Sequence, residues 1–213
     1  MIEEMFTLSE VIANLIKLSQ ISCDTLEAWE DDIEVFQAEE DMCGIGRAGV
    51  RTQAQETLCD GMPCEWTCMK KFIDQVWQGI AKALDQNKGG WHIFEAATLT
   101  LNGISGLLAN ADHAQSICRP QFEGFLNEVV VPKLDANENK YLTGRILIFG
   151  GKYCQKMSAP QTMAMLACVS KFLQEDSQHC KILAIRSLHN HIENLIELNR
   201  RNELESGAAQ FRL

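Results

Sequence analysis

One stretch of this chain allows very little structural freedom. Between 65 and 85, Trp66, Met69, Phe72, Ile73, Val76, Trp77, Ile80 and Leu84 recur at spacings of one, three and four residues. That is the period of a helix with one apolar side. Such a helix must bury that side against something. Strands are not on offer, because no segment alternates with a period of two. The run Val129–Val130–Val131 is short and meets Pro132, so it reads as the end of a helix. Only 4 prolines and 14 glycines punctuate 213 residues, which favours long helices. Helices here have to be covered by other helices.

The rest of the chain repeats the theme. Residues 5–20 read as a helix, with Phe6, Val11, Ile12, Leu15, Ile16 and Leu18 apolar and Ser9 capping an early turn. A second helix spans 25–36, with Leu26, Trp29, Ile33 and Phe36 on one stripe. Trp29 and Phe36 lie two turns apart and read as core anchors. The segment 37–47, ending in Gly44 and Gly46, reads as an exposed acidic loop. Further helices are expected over 48–60, 91–109, 115–134, 139–156, 158–174 and 178–197. The 91–109 helix carries Phe94, Ala97, Leu101, Ile104 and Leu108 on one side. Pro132 must sit in a last turn or kink its helix. Ser158 and Pro160 make a helix start. In 178–197, Ile182, Ile185, Leu188, Ile192 and Leu195 fall in register. The tail from 198 is polar and is expected to fray.

The longer helices pair through short turns. First helices of successive pairs begin near 48, 91, 139 and 178, at intervals within or near the roughly 40–47 residues of HEAT and armadillo repeats. The expected fold is all-α, a right-handed α-α superhelix of HEAT repeats. Its parts are leading helices and an acidic segment over 1–47, stacked hairpins over 48–197 and a polar tail over 198–213.

The net charge of −10 is concentrated in one place. No Lys or Arg lies between Lys17 and Arg47, while that gap holds nine acids. The remainder is nearly neutral, with 20 acids against 19 bases. A local acidic field steers basic partners and repels phosphates. Asp31, Asp32, Glu34, Glu39, Glu40 and Asp41 are therefore candidates for pairing with Lys and Arg of a protein partner. No direct nucleic-acid contact is expected. No membrane contact is expected either, since no run of about 18 apolar residues exists. The acidic start, MIEEMFTLSE, does not read as a secretory signal, so the cytosol or nucleus is the default.

Motifs for chemistry are missing. Nine cysteines, an odd and irregular set, read as small buried hydrophobes. Cys59, Cys64 and Cys68 form no CxxC pair, and the nearest histidine downstream is His92, so no zinc site is expected. His189 and His191 are two apart and point to different helix faces. Gly44–Ile45–Gly46 lacks the context of a dinucleotide loop. Gly150–Gly151 falls inside a helix and reads as a close packing point or a kink. No GxSxG, HExxH, P-loop or kinase motif occurs. The chain is expected to be a binding protein without cofactor or metal, not an enzyme.

Three groups of residues, in order, carry a resemblance. The first is Trp29, Phe36 and Glu39–Glu40–Asp41, followed by Arg51, Ala54 and Leu58. The second is Tyr141–Leu142–Thr143–Gly144–Arg145, then Tyr153 and the MetSerAlaProGln of 157–161. The third is Ala184–Ile185–Arg186–Ser187–Leu188. Together, over roughly 7–196, they resemble the importin-β (karyopherin) family, and within it the importin-nine branch. Two features depart from the pattern. Asp32 is followed by Ile33 where the family has a proline, and no aromatic follows Gly144–Arg145 within three residues.

The resemblance implies a segment of a nuclear import receptor, which in full length is several times longer. It implies basic cargo such as core histones and ribosomal proteins, release by Ran·GTP in the full-length receptor, and shuttling through the nuclear pore between cytoplasm and nucleus. It also marks Arg51 and Arg145, beside Trp29 and Phe36, as structural anchors. The rival expectation is a generic HEAT scaffold or adaptor for complex assembly. Sensitivity to Ran·GTP separates the two.

Overall fold

The computed structural model describes residues 8–40, 49–61, 66–86, 90–105, 119–136 and 139–210. Every regular element among the described residues is helical. Phe6, residues 41–48, Cys64 and Leu108 lie outside them, as do the side chains of Trp66, Met69 and Leu195. The chain divides into two compact units, Met1–Thr143 and Gly144–Leu213.

The first unit contains α1 (Leu8–Leu18), α2 (Cys23–Asp31), α3 (Ile33–Glu40), α4 (Val50–Asp60), α5 (Trp66–Gln86), α6 (Trp91–Gly103), α7 (Arg119–Phe125) and α8 (Val131–Ala136). Helix α1 packs most extensively on α5 and also touches α4 and α6. Its buried face is Ile12, Ala13 and Ile16, and α5 contributes Ile73, Val76, Ile80 and Ala83. Burying each large aliphatic side chain contributes roughly 1.5–3 kcal/mol. The two axes approach closely at Gly79, where an added Cβ would lie 2.5 Å from Ile12 Cγ2. Ser9 is not a cap. It is buried within α1, and its Oγ accepts from Lys82 Nζ at 2.9 Å. Val11 and Leu18 are exposed.

The expected single helix over 25–36 is broken. Asp32 is extended, with φ −141° and ψ 109°. Its Oδ1 accepts from the Glu34 N–H at 2.8 Å, so it ends α2 and caps α3. An aspartate can offer this local bond in place of helix continuation. Ser22 starts α2 by accepting from the Thr25 N–H at 3.1 Å. Residues 37–40, expected as loop, belong to α3.

Helix α6 is buried nearly all round, including Ile93, Glu95, Ala97, Thr98, Leu101 and Asn102. The expectation of one apolar side was too narrow, because α6 meets α1, α4 and α5. Pro132 does not end its helix. Residues 119–136 run on through a π turn at Leu126–Val130, where the Val131 N–H donates to the Leu126 carbonyl. A wider turn next to Pro132 relieves the clash of the proline ring with the preceding turn.

Helix α9 (Lys140–Tyr153) crosses the division between the units. In the second unit it is followed by a 3₁₀ turn (Cys154–Lys156), α10 (Ala159–Gln174) and α11 (Gln178–Gln210). Ser158 and Gln161 form a reciprocal capping box at the start of α10, with proline in the first turn. The 33-residue α11 continues through the segment expected to fray. Its packed face also differs from the expected one. Leu183, Ala184, Ser187 and His191 are buried, while Ile185 is 58% and Ile192 48% exposed. Glycine explains the choice. An added Cβ at Gly151 would lie 2.6 Å from the Ser187 carbonyl oxygen, and one at Gly144 would overlap the Leu183 side chain. Such notches in α9 accept the Leu183–Ser187–His191 side of α11, so Gly151 marks a close crossing as its sequence context suggested.

The repeat period reappears in contacts. From α4 to α6, Arg51 bonds Glu95 and Gln55 bonds Thr100, 44 and 45 residues apart. From α9 to α11, the Ser187 Oγ donates to the Leu147 carbonyl, 40 residues away. These are first helices of successive hairpins touching side by side, as HEAT repeats do.

Candidate functional site

The acidic segment folds as a helical hairpin, α2 and α3, set in the first unit. Nine and eight residues long, neither helix is stable alone in water. Docking has to supply what propensity lacks. Trp29 and Phe36 supply the apolar part, being 1% and 0% exposed. They meet edge to face at 5.1 Å, and the Tyr141 ring lies 5.1 Å from Trp29 and 5.8 Å from Phe36. Aromatic packing of this kind adds about 0.5–1.5 kcal/mol per pair beyond area burial.

A polar hub sits beside these rings. The Trp29 indole N–H donates to Glu39 Oε2 at 2.9 Å. Glu39 Oε1 lies 3.6 Å from Arg51 Nε. The Arg51 guanidinium donates to both carboxylate oxygens of Glu95, at 2.7 and 2.9 Å, and to the Ser19 carbonyl. Its Cζ lies 5.7 Å from the Trp29 ring centre. Gln55 donates to Ser19 Oγ at 2.7 Å and to Thr100 Oγ1 at 3.2 Å. Glu95 is 0% exposed and Arg51 7%. A buried carboxylate is tolerated only when paired and hydrogen-bonded, and the two-pronged arginine bond meets that need. On the hairpin's other side, Glu30 accepts from the Tyr141 hydroxyl at 2.8 Å and pairs with Lys140 at 2.8 Å.

The candidate acids thus divide. Asp31, Asp32 and Glu34 are exposed. Glu39 is half-buried and engaged by Trp29 and Arg51. Glu40 is half-buried at the end of α3, and Asp41 lies outside the described residues. Asp24 and Glu27 add exposed charge on α2. Arg51, Trp29 and Phe36 are brought together; Arg145 is buried in α9, in the second unit. Sequence reasoning missed Ser19, Gln55 and Glu95, and gave Tyr141 only as part of the Tyr141–Arg145 motif, without a role at this site. For Glu95 the available signal was its place within the apolar run Ile93–Phe94–Glu95–Ala96–Ala97.

Among the described residues no chemistry-bearing cluster accompanies this arrangement. Among the described residues no group of three or more His, Cys, Asp and Glu forms a metal cage. Burial pushes the Cys154 thiol and the Tyr153 phenol up from their ordinary ranges, which leaves both un-ionised at neutral pH. His189 is exposed beside Glu193 at 3.2 Å, whereas His191 is buried with Nδ1 2.9 Å from the Ser187 carbonyl. Among the described residues no helix is long and apolar enough to cross a membrane. The geometry presents an acidic face on a rigidly docked hairpin, with helices stacked behind it.

No curated protein matches the chain. A family model described as Importin-9 central HEAT repeats matches residues 3–205. This span includes the acidic hairpin, the hub beneath it and both sets of side-by-side helix contacts. With helices, repeat period and family match in agreement, the chain belongs to the importin-9 central HEAT-repeat family.

Proposed function

We propose that this chain is the part of a nuclear transport receptor that contacts basic protein cargo through the α2–α3 face. The family is one of transport and scaffolding proteins, not of enzymes. The observation that carries the reading is the placement of Asp31, Asp32 and Glu34, exposed on a docked hairpin that has no basic residue of its own. Surface ion pairs contribute about 0–1 kcal/mol each. Useful affinity therefore comes from several pairs at once, with an on-rate that falls as salt rises. Core histones and ribosomal proteins fit as cargo by their charge. Release by Ran·GTP in the full-length receptor, and shuttling between cytoplasm and nucleus, complete the reading.

The test is titration of core-histone dimers into the chain across a salt series, beside a variant carrying Asp31→Asn, Asp32→Asn and Glu34→Gln. Asn at 32 keeps the capping oxygen. Glu39 is left alone because its loss would disturb the fold. Salt-sensitive binding that weakens at least several-fold in the variant supports the reading. Equal binding by both proteins refutes this face as the contact. Cargo release unaffected by Ran·GTP in the full-length receptor would point to a HEAT scaffold instead.

A further inference from the structure

The α2–α3 hairpin carries eight acids between Cys23 and Glu40 and no base, so it repels itself. Two cations from later helices meet it. Lys140 reaches Glu30 at the surface, and Arg51 reaches Glu39 from the interior. Arg51 is in turn held from behind by Glu95 of α6, through two bonds, and by the Ser19 carbonyl at the end of α1. One guanidinium therefore ties the hairpin to α1, α4 and α6. Apolar burial of Trp29 and Phe36 is non-directional and accepts small slides and rotations. A planar fork between two carboxylates, with an indole that shares one of them, does not.

We propose that the Arg51–Glu95 pair is a positioning lock: it fixes the orientation of the acidic hairpin on the helix stack and so sets which arrangement of basic side chains the exposed face accepts. The inference rests on the reading of that face as a cargo contact. Arg51 touches no cargo itself and acts through Glu39 and Trp29.

The test compares Arg51→Met alone with Arg51→Met plus Glu95→Leu. The single change strands a buried carboxylate and is expected to lower the melting temperature. The double change removes both charges and is expected to restore it, as buried pairs replaced by apolar side chains often do. Two further readouts on the double variant go beyond stability. Amide exchange over 23–40 is expected to quicken by about tenfold or more while that of α5 stays unchanged. Affinity for core-histone dimers at low salt is expected to fall by about tenfold, with partial rescue of both readouts by Arg51→Lys in an otherwise unchanged chain. Unchanged exchange in the double variant overturns the lock. Faster exchange with unchanged affinity overturns its role in cargo choice. If the unaltered chain binds no histone dimer, the cargo reading fails, and the exchange result alone decides the lock.

Discussion

Neighbouring hairpins are joined in two different ways in this molecule. In the first unit, α4 and α6 meet through charge and polar side chains: Arg51 on Glu95 and Gln55 on Thr100. In the second, α9 and α11 approach closely at Gly144 and Gly151, opposite Leu183, Ser187 and His191, and the polar bonds there run from side chains of α11 to backbone carbonyls of α9, from Ser187 to Leu147 and from Asn194 to Gly151. The offsets are alike, 44–45 and 40 residues, so the same architectural contact is made once mainly between polar side chains and once mainly against glycine backbone. The polar version can reach sideways, and Arg51 uses it to engage Glu39 in the α2–α3 hairpin. The glycine version is dense and self-contained.

The contrast predicts a graded set of effects. Arg51→Met should be the largest, about 3–5 kcal/mol, since it leaves Glu95 buried without its partner. Chemical denaturation followed by amide exchange should place that loss in the first unit, with α10 and α11 protected as before. Gly151→Ala should cost roughly 1–3 kcal/mol, because the methyl meets the Ser187 backbone carbonyl rather than a side chain that can turn away. A thermal shift under about 1 °C would show that the glycine contact is loose. Ser158→Ala removes the capping box of α10 and should cost about 1 kcal/mol. Ile185→Lys should be the mildest, within about 0.5 kcal/mol, because the side chain faces outward. A loss of several kcal/mol there would mean that α11 packs by its isoleucine side after all.

Much of this was legible in the sequence, and the failures have physical causes. Helices beginning at Val50, Trp91, Lys140 and Gln178 stand within two residues of the starts set by breakers and periodicity, because caps and glycines act locally. The break at Asp32 was hidden by the stripe Leu26–Trp29–Ile33–Phe36, which continues across it: two helices at an angle can present one apolar side. Periodicity on α11 found the isoleucines, yet the packed side was chosen by notches in α9, some 40 residues away. Glu39 looked like one more surface acid, since charge alone does not reveal an indole and a guanidinium waiting for it. Glu95 broke an apolar run, and a lone polar residue there names no partner until the fold brings Arg51 to it.

The π turn before Pro132 has a further consequence, in the language of insertions and deletions. A turn closed by a bond from Val131 to Leu126 holds one residue more than an ordinary α turn, so the helix has absorbed the equivalent of a one-residue insertion without opening a loop. Removing one residue from Leu126–Val130 would return the run to plain α geometry and leave the residues beyond it facing as they do now, because the wide turn already takes up the roughly 100° that one more α-helical residue would add. Lys133, 4.7 Å from the Phe94 ring centre, would keep its place against α6. The wide turn thus lets the residue count of this helix change by one without changing the direction of its last side chains. Homologous repeats that lack the extra residue are expected to lack Pro132 as well, while their lysine keeps the same facing.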